Sequence, residues 1–332
     1  MAKGRDVTEA VDQRRETDFL RGAEGLRREL LAFCYRMVGS AHEAEDLVQE
    51  TYLRAWRAFD RFENRSSVRT WMYRIATSAC LNALEGRSRR PLPMGLGPNS
   101  DPSEDVVERP EVPWLEPLPD DSPQSDSADP AVLVAARETV RLAFVATLQH
   151  LTPRQRAVLV LREVLMWPAA DTAAALGTTT AAVNSMLQRA RAHLDRLSPR
   201  SGDVMEPTTA AHRRLLDEYV AAWEQKNVPA IVDLLTQDAA WEMPPLLEWY
   251  LGREHIAHHL THRCSVRPGQ ARLVRADANG QPAFATYTLE PDGRYHAAFL
   301  QVLTLTDAGI SHVYAFLDVN LFESFNLPAV VD

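Results

Sequence analysis

From Asp18 to about Arg90, apolar residues return every three or four positions, the spacing of helices with one buried face. Leu26, Leu30, Phe33, Met37 and Val38 form the first such stripe, and Gly39-Ser40 interrupts it. Ser40, with Glu43 three residues on, has the form of a capping box, and the amphipathic AHEAEDLVQETYLRAWRAF predicts a second helix. Ser66-Ser67 lead into a third, VRTWMYRIATSACLNALEGRSRR, with Trp71, Ile75, Ala79 and Leu84 inside and arginines outside. The periodicity then stops. Residues 91–131 are rich in Pro, Ser and Asp and poor in aliphatics, which predicts an extended linker without a core of its own. Helices resume at about Ala131 and end at LSPRSGDVMEPTT, a second, shorter linker. Residues 208–330 combine two or three helices with the alternating runs AFATYTL, YHAAFLQVLTL and SHVYAFLDV, an α+β pattern with an antiparallel sheet.

A chain of 332 residues suggests two or three domains, and 45% hydrophobic with 24% charged residues is ordinary for folded proteins. No apolar run approaches the roughly 20 residues that span a bilayer, and MAKGRDVTEAVDQRRE lacks the apolar stretch of a secretory signal. A soluble, cytoplasmic protein without membrane contact is therefore expected. Cys34, Cys80 and Cys264 lie far apart, which argues against a disulfide framework or a thiolate zinc site. The net charge of −9 is unevenly divided, with +3 over residues 1–90, −9 over 91–131, +5 over 132–200 and −8 over 201–332. Two basic modules thus flank an acidic connector, and nucleic-acid contact is open to both.

The stretch WPAADTAAALGTTTAAVNSMLQRARAHL reads as a helix-turn-helix. Ala173 is small where two helices cross, Gly177 supplies the turn, Val183 packs the second helix back, and Leu176 and Met186 fall on inner faces. Thr178, Thr179 and Thr180 cap the second helix. Asn184, Ser185 and Gln188 then reach base edges, while Arg189 and Arg191 lie where phosphate contact is expected. Taken alone, the same pattern also fits a plain amphipathic hairpin with exposed arginines.

Three segments in order, AHEAEDLVQETYLRAW, VRTWMYRIATSACLNAL followed by RSRR, and LTPRQRAVLVLREV leading into the helix-turn-helix, resemble the extracytoplasmic-function group of sigma-70 factors over residues 18–200. The resemblance implies two all-α domains. By that resemblance residues 18–90 are expected to form region 2, which meets core polymerase and the −10 element, and residues 132–200 region 4, which reads the −35 element. It implies that Asp46, Gln49 and Glu50, on one helix face, dock on a coiled coil of the large polymerase subunit. For the −10 element it implies backbone contacts from Arg69, Arg74, Arg87, Arg89 and Arg90, with Asn82 at a base or the strand. Trp71 resembles a family aromatic, and its place on the apolar side leaves core packing and base stacking both open. Asn184 and Met186 stand where many relatives are basic. The partners implied are core RNA polymerase and promoter DNA, with no cofactor, and an anti-sigma factor is neither required nor excluded.

Residues 208–330 resemble the SnoaL-like family, on HRRLLDEYVAAWEQKNVPAIVDLLTQDAAWEMPP and YLGREHIAHHL, which implies a cone of helices over a curved sheet. Trp241, Met243, Trp249, Tyr250 and His258 are either walls of a small-ligand pocket or simple core. His255, His259 and His262 share a helix face, but no nearby carboxylate and thiol set completes a metal site. An acid/base pair of Asp217 with His258 is open to an enzyme, yet nothing singles it out. The reading is a sigma factor that carries no catalytic residues and whose fused domain modulates it. The alternative is a SnoaL-like enzyme or ligand sensor tethered to a DNA-binding regulator.

Overall fold

The computed structural model describes residues 25–59, 62, 66–120, 139–197 and 210–332. The expected linker is therefore seen as far as Asp120, and the second one, with the chain before residue 25, lies outside the described residues. The chain divides into two compact units. Residues to Ser88 together with Leu148–Leu197 make the first, and Arg89–Thr147 with Ser198–Asp332 make the second.

The first unit is helical. Helix α1 (Arg27–Val38) buries Leu30, Phe33, Cys34 and Met37 and stops at Gly39, whose φ of 73° suits a residue without Cβ. Helix α2 (Ala41–Ala58) starts where expected, with the Ser40 side chain accepting from the Glu43 N–H at 3.1 Å. Helix α3 (Val68–Ala83) is capped by Ser67 on the Thr70 N–H at 3.1 Å and buries Met72, Tyr73, Ala76 and Cys80. A full capping box, Thr152 with Gln155, opens α5 (Pro153–Leu159), which continues into a π turn at Val160–Val164. Helices α6 (Ala169–Leu176) and α7 (Thr180–Leu197) follow, joined at Gly177 with φ 58°.

One buried cation ties the two helical groups of this unit together. Arg156 is 3% exposed, and its guanidinium donates to the Met37 carbonyl, to Gln149 Oε1 at 2.7 Å, and to the Gln149 and Leu151 carbonyls at 3.3 Å. Burial lowers its pKa to about 10, so it stays charged at neutral pH. Tyr73 of α3 meets Trp167, just before α6, edge-on at 5.5 Å.

The second unit is α+β. Its sheet runs β2-β1-β6-β5-β4-β3, with β7 (Val330–Val331) on β5. Strands β1 (Leu235–Glu242), β2 (Trp249–Leu251), β3 (Ala271–Ala278), β4 (Gln281–Leu289), β5 (Tyr295–Thr306) and β6 (Gly309–Phe316) carry it. All pair antiparallel except β1 with β6, which departs from the all-antiparallel expectation. A parallel pair needs a long crossover, and here the chain between them is most of the domain. Helices α8 (Ala210–Glu224), α9 (Val228–Asp233) and α10 (Arg253–His262) join the sheet in one core around Tyr219, Trp223, Ile231, Trp241, Tyr250 and Ile256. A short α11 (Leu321–Ser324) sets Phe322 edge-on to Tyr287 at 5.3 Å.

The stretch 91–120 is not the unsupported linker that its composition suggests. It lies along this domain, with Leu92, Leu115 and Leu118 buried at 9% exposure or less while its acids other than the half-buried Glu116 face solvent. A handful of well-spaced apolar anchors suffices, because the domain supplies the partners that the segment lacks. The Met94, Val107 and Leu118 N–H groups donate to Glu242 Oε2 (2.7 Å), Glu248 Oε2 (2.9 Å) and Asn279 Oδ1 (2.8 Å). Ser100 N–H meets the carbonyl of Trp249 on edge strand β2 at 2.9 Å, and Arg263 pairs with Asp105 at 3.1 Å. Asn279, fully buried at the β3–β4 turn with φ 57°, also donates to the Val140 carbonyl at 2.6 Å, just ahead of α4 (Leu142–Leu148).

Candidate nucleic-acid interface

The helix-turn-helix has the shape its sequence predicts. Ala173, Leu176 and Val183 are buried between α6 and α7, and Thr179 Oγ1 accepts from the Ala182 N–H at 3.2 Å, capping the recognition helix. Thr178 is half-buried and Thr180 exposed beside it. Leu187 and Ala190, rather than Met186, complete the inner face. That geometry turns Asn184, Ser185, Gln188, Arg189 and Arg191 outward, all of them exposed. Arg191 is engaged with Glu163 of the π turn, which fixes its direction along the helix. An exposed row of amide, hydroxyl and guanidinium groups beside the capped helix N-terminus is what major-groove reading requires.

The residues expected at the −10 element are distributed differently. Arg69 donates to Glu29 Oε2 at 2.9 Å and lies 5.1 Å over the Tyr73 ring, and Arg87 pairs with Glu43 at 2.7 Å. Arg74 and Asn82 are exposed on α3, and Trp71 is half-buried, stacked on Phe62 at 4.6 Å. Asn82 lines an open cleft of about 390 Å³ with Leu81, Glu85, Thr152, Pro153 and Arg154. Arg89 and Arg90 fall in the second unit. Arg89 reaches the Gly95 carbonyl at 2.9 Å, and Arg90 the Trp114 carbonyl at 2.9 Å, with Glu116 at 3.4 Å.

On α2, Asp46 and Gln49 are exposed, and Glu50 is half-buried and bound to Arg54 at 2.7 Å. The same face continues through Leu53 and Trp56, 50% and 49% exposed, while Leu47 is buried. Leu53 was missed in the sequence because an apolar residue at helical spacing reads as core. The signal was present in its offset of seven from Asp46. Two large apolar side chains beside acids make an exposed apolar patch on this face.

In the second unit Trp241, Met243, Trp249 and Tyr250 are buried, and Trp249 Nε1 donates to the connector's Gly97 carbonyl at 3.1 Å. His258 is half-buried with its ring 4.6 Å from His262, whereas His259 is the buried histidine, 4.8 Å from Tyr250. Burial, helped by Lys226, Arg263 and His258, lowers the His259 pKa to about 4.

Known proteins share these parts. The family model of Sigma-70 region 2 matches residues 23–90, that of Sigma-70 region 4 residues 141–194, and that of the SnoaL-like domain residues 216–313. The ECF RNA polymerase sigma factor SigG of Mycobacterium tuberculosis is 53% identical over 324 residues, covering 96% of this chain and 86% of its own length. SigJ of the same organism, also an ECF RNA polymerase sigma factor, is 28% identical over 220 residues, or 66% of this chain and 62% of its own. The crystal structure of the M. tuberculosis SigJ shares the fold with a TM-score of 0.61 at 22% identity, covering 93% of this chain and 99% of that one.

Proposed function

Because the chain belongs to the extracytoplasmic-function RNA polymerase sigma factors, we propose that its first unit docks core polymerase and reads the promoter while its SnoaL-like domain governs when it does so. As a sigma factor it binds core RNA polymerase and directs promoter-specific initiation. It is a regulator, acting where the polymerase is, in the cytoplasm. The alternative, an enzyme or sensor tethered to an operator binder, is not favoured, because an operator binder needs no region 2.

Asp46, Gln49 and Glu50, extended by Leu53 and Trp56, form the polymerase face. Arg69, Trp71, Arg74, Asn82 and Arg87 serve the −10 element, and α7 serves the −35 element with Asn184, Ser185, Gln188, Arg189 and Arg191. The observation that carries this reading is the exposed polar row on a capped recognition helix. Arg89 and Arg90 are assigned to the connector's own bonds until it is released.

The connector supports the regulatory half. The resemblance to sigma factors implies that the polymerase takes up the connector, so the SnoaL-like domain and the polymerase would compete for one segment. Tethering gives the domain a high effective concentration in that competition. Any small ligand of the domain would act by shifting this balance.

Run-off transcription with core polymerase, comparing the full chain with a version ending at Pro199, tests both halves. Specific transcripts from either are expected, at different levels. Absence of transcripts and of polymerase binding would remove the sigma reading, and equal levels would remove the regulatory one.

A further inference from the structure

The two arginines on the outward side of the recognition helix are not in the same condition. Arg189 is exposed and has no carboxylate partner among the described residues. Arg191 ends the base-reading row, since Asn184, Gln188 and Arg191 follow one another at four and three residues along one face of α7. Its Nε donates to Glu163 Oε1. The pair is open to solvent, with side chains 61% and 33% exposed, so it adds little to stability. What it alters is charge, because a guanidinium beside a carboxylate meets an approaching phosphate without a net positive charge.

Glu163 is brought there by an unusual piece of backbone. Val160–Val164 winds as a π turn, a rare form that recurs at functional sites. The turn is closed by the Leu165 N–H on the Val160 carbonyl at 2.9 Å, the Trp167 N–H on the Leu161 carbonyl at 2.8 Å, and the Arg162 guanidinium on the Trp167 carbonyl. Met166 takes φ 55°, an uncommon conformation for a long side chain, and stands 77% exposed, so no burial offsets the strain. Val160 and Leu161 anchor the turn in the core, and Glu163 is the side chain it presents to α7.

We propose that Glu163 is a specificity-determining residue of −35 reading: it cancels the charge of Arg191, so that this arginine positions α7 on the DNA backbone without adding sequence-independent attraction. This rests on the assignment of α7 to the −35 element given above. Phosphate attraction raises affinity for every sequence alike, whereas amide and hydroxyl contacts to base edges separate one sequence from another. With one edge of the guanidinium on Glu163, the remaining N–H groups of Arg191 are left for a phosphate. Discrimination then falls to Asn184, Ser185 and Gln188. An acid placed here without a paired arginine would only repel the duplex.

The test uses holoenzyme assembled from core polymerase and the full chain. Its binding is titrated at several salt concentrations on a promoter fragment active in run-off transcription, and on the same fragment with its −35 element scrambled. Glu163→Gln should bind the scrambled fragment severalfold tighter, steepen the salt slope by about one and shrink the affinity ratio between the two fragments. Glu163→Asp should keep the wild-type slope. Arg191→Gln should make the slope shallower by about one, and combining it with Glu163→Gln should restore the wild-type slope. Circular dichroism confirms that each variant is folded. Weaker binding of the scrambled fragment by folded Glu163→Gln, an unchanged slope, or an unchanged ratio would overturn the proposal. Gln188→Ala, measured alongside, separates this role from the assignment beneath it. If Gln188→Ala lowers the ratio and Glu163→Gln does not, only the role of Glu163 falls. If neither changes it, α7 is not the reader of the −35 element and both fall.

Discussion

His259 shows what burial does to a single residue. Packed on Tyr250, its imidazole has a pKa of about 4, against roughly 6.5 in an unfolded chain. Between those values the unfolded state binds the extra proton, so this residue's support for folding is complete above about pH 6.5 and falls as the pH drops toward 4. Urea unfolding should therefore cost about 2 kcal/mol less at pH 5 than at pH 7.5 through this group, and His259→Phe should flatten that dependence. An unchanged slope in the variant would assign the effect elsewhere. Asn279 serves three ends at once, with a left-handed backbone and an amide bonded to Leu118 and Val140. Asn279→Gly keeps the backbone and loses the bonds, a loss of about 1–3 kcal/mol. Asn279→Ala adds backbone strain of about 1 kcal/mol. Faster proteolysis within residues 89–120, in the order Ala, Gly, wild type, would check it. Neither role is legible in the sequence, where Asn279-Gly280 reads only as a turn. The outward residues of α7 are legible, because helical spacing alone decides which side chains oppose Val183.

Among the elements, helix starts were the most readable. Ser40, Ser67, Thr152 and Thr179 each accept from the backbone N–H three residues on, a local bond needing no distant partner. The recognition helix yields a sharp expectation. Gln188→Ala should cost about 1–3 kcal/mol of discrimination at one base pair of the −35 element. Arg189→Ala should weaken all sequences alike and lower the salt slope by about one. Binding titrations over mutated promoters at several salt concentrations distinguish them, and the reverse pattern would exchange the two roles. On α2, Trp56→Ala should weaken core polymerase binding at least as much as Asp46→Ala does, since a half-exposed indole on the proposed docking face would be a typical anchor. Equal affinity of Trp56→Ala and wild type would confine the face to its acids. Sequence periodicity did not predict the parallel β1–β6 pairing, because alternation reports which face of a strand is buried and not which strand lies beside it.

At the level of the whole molecule, the acidic connector was expected to stand apart and instead belongs to the second unit. If Glu242 and Glu248 hold it by accepting from Met94 and Val107, then Glu242→Gln with Glu248→Gln should loosen it. Run-off transcription should move in the same direction as on truncation at Pro199, and a change in the opposite direction would exclude this clamp. The order of modules, their helices, the helix-turn-helix and the α+β character of the last domain were all determined by the sequence itself, because caps, turns and hydrophobic spacing act within a few residues. The hold on the connector and the Arg156 tie to Met37 across 119 positions were decided only in the tertiary structure. Each depends on groups remote in sequence, whose burial and bonding exist only once the chain has brought them together.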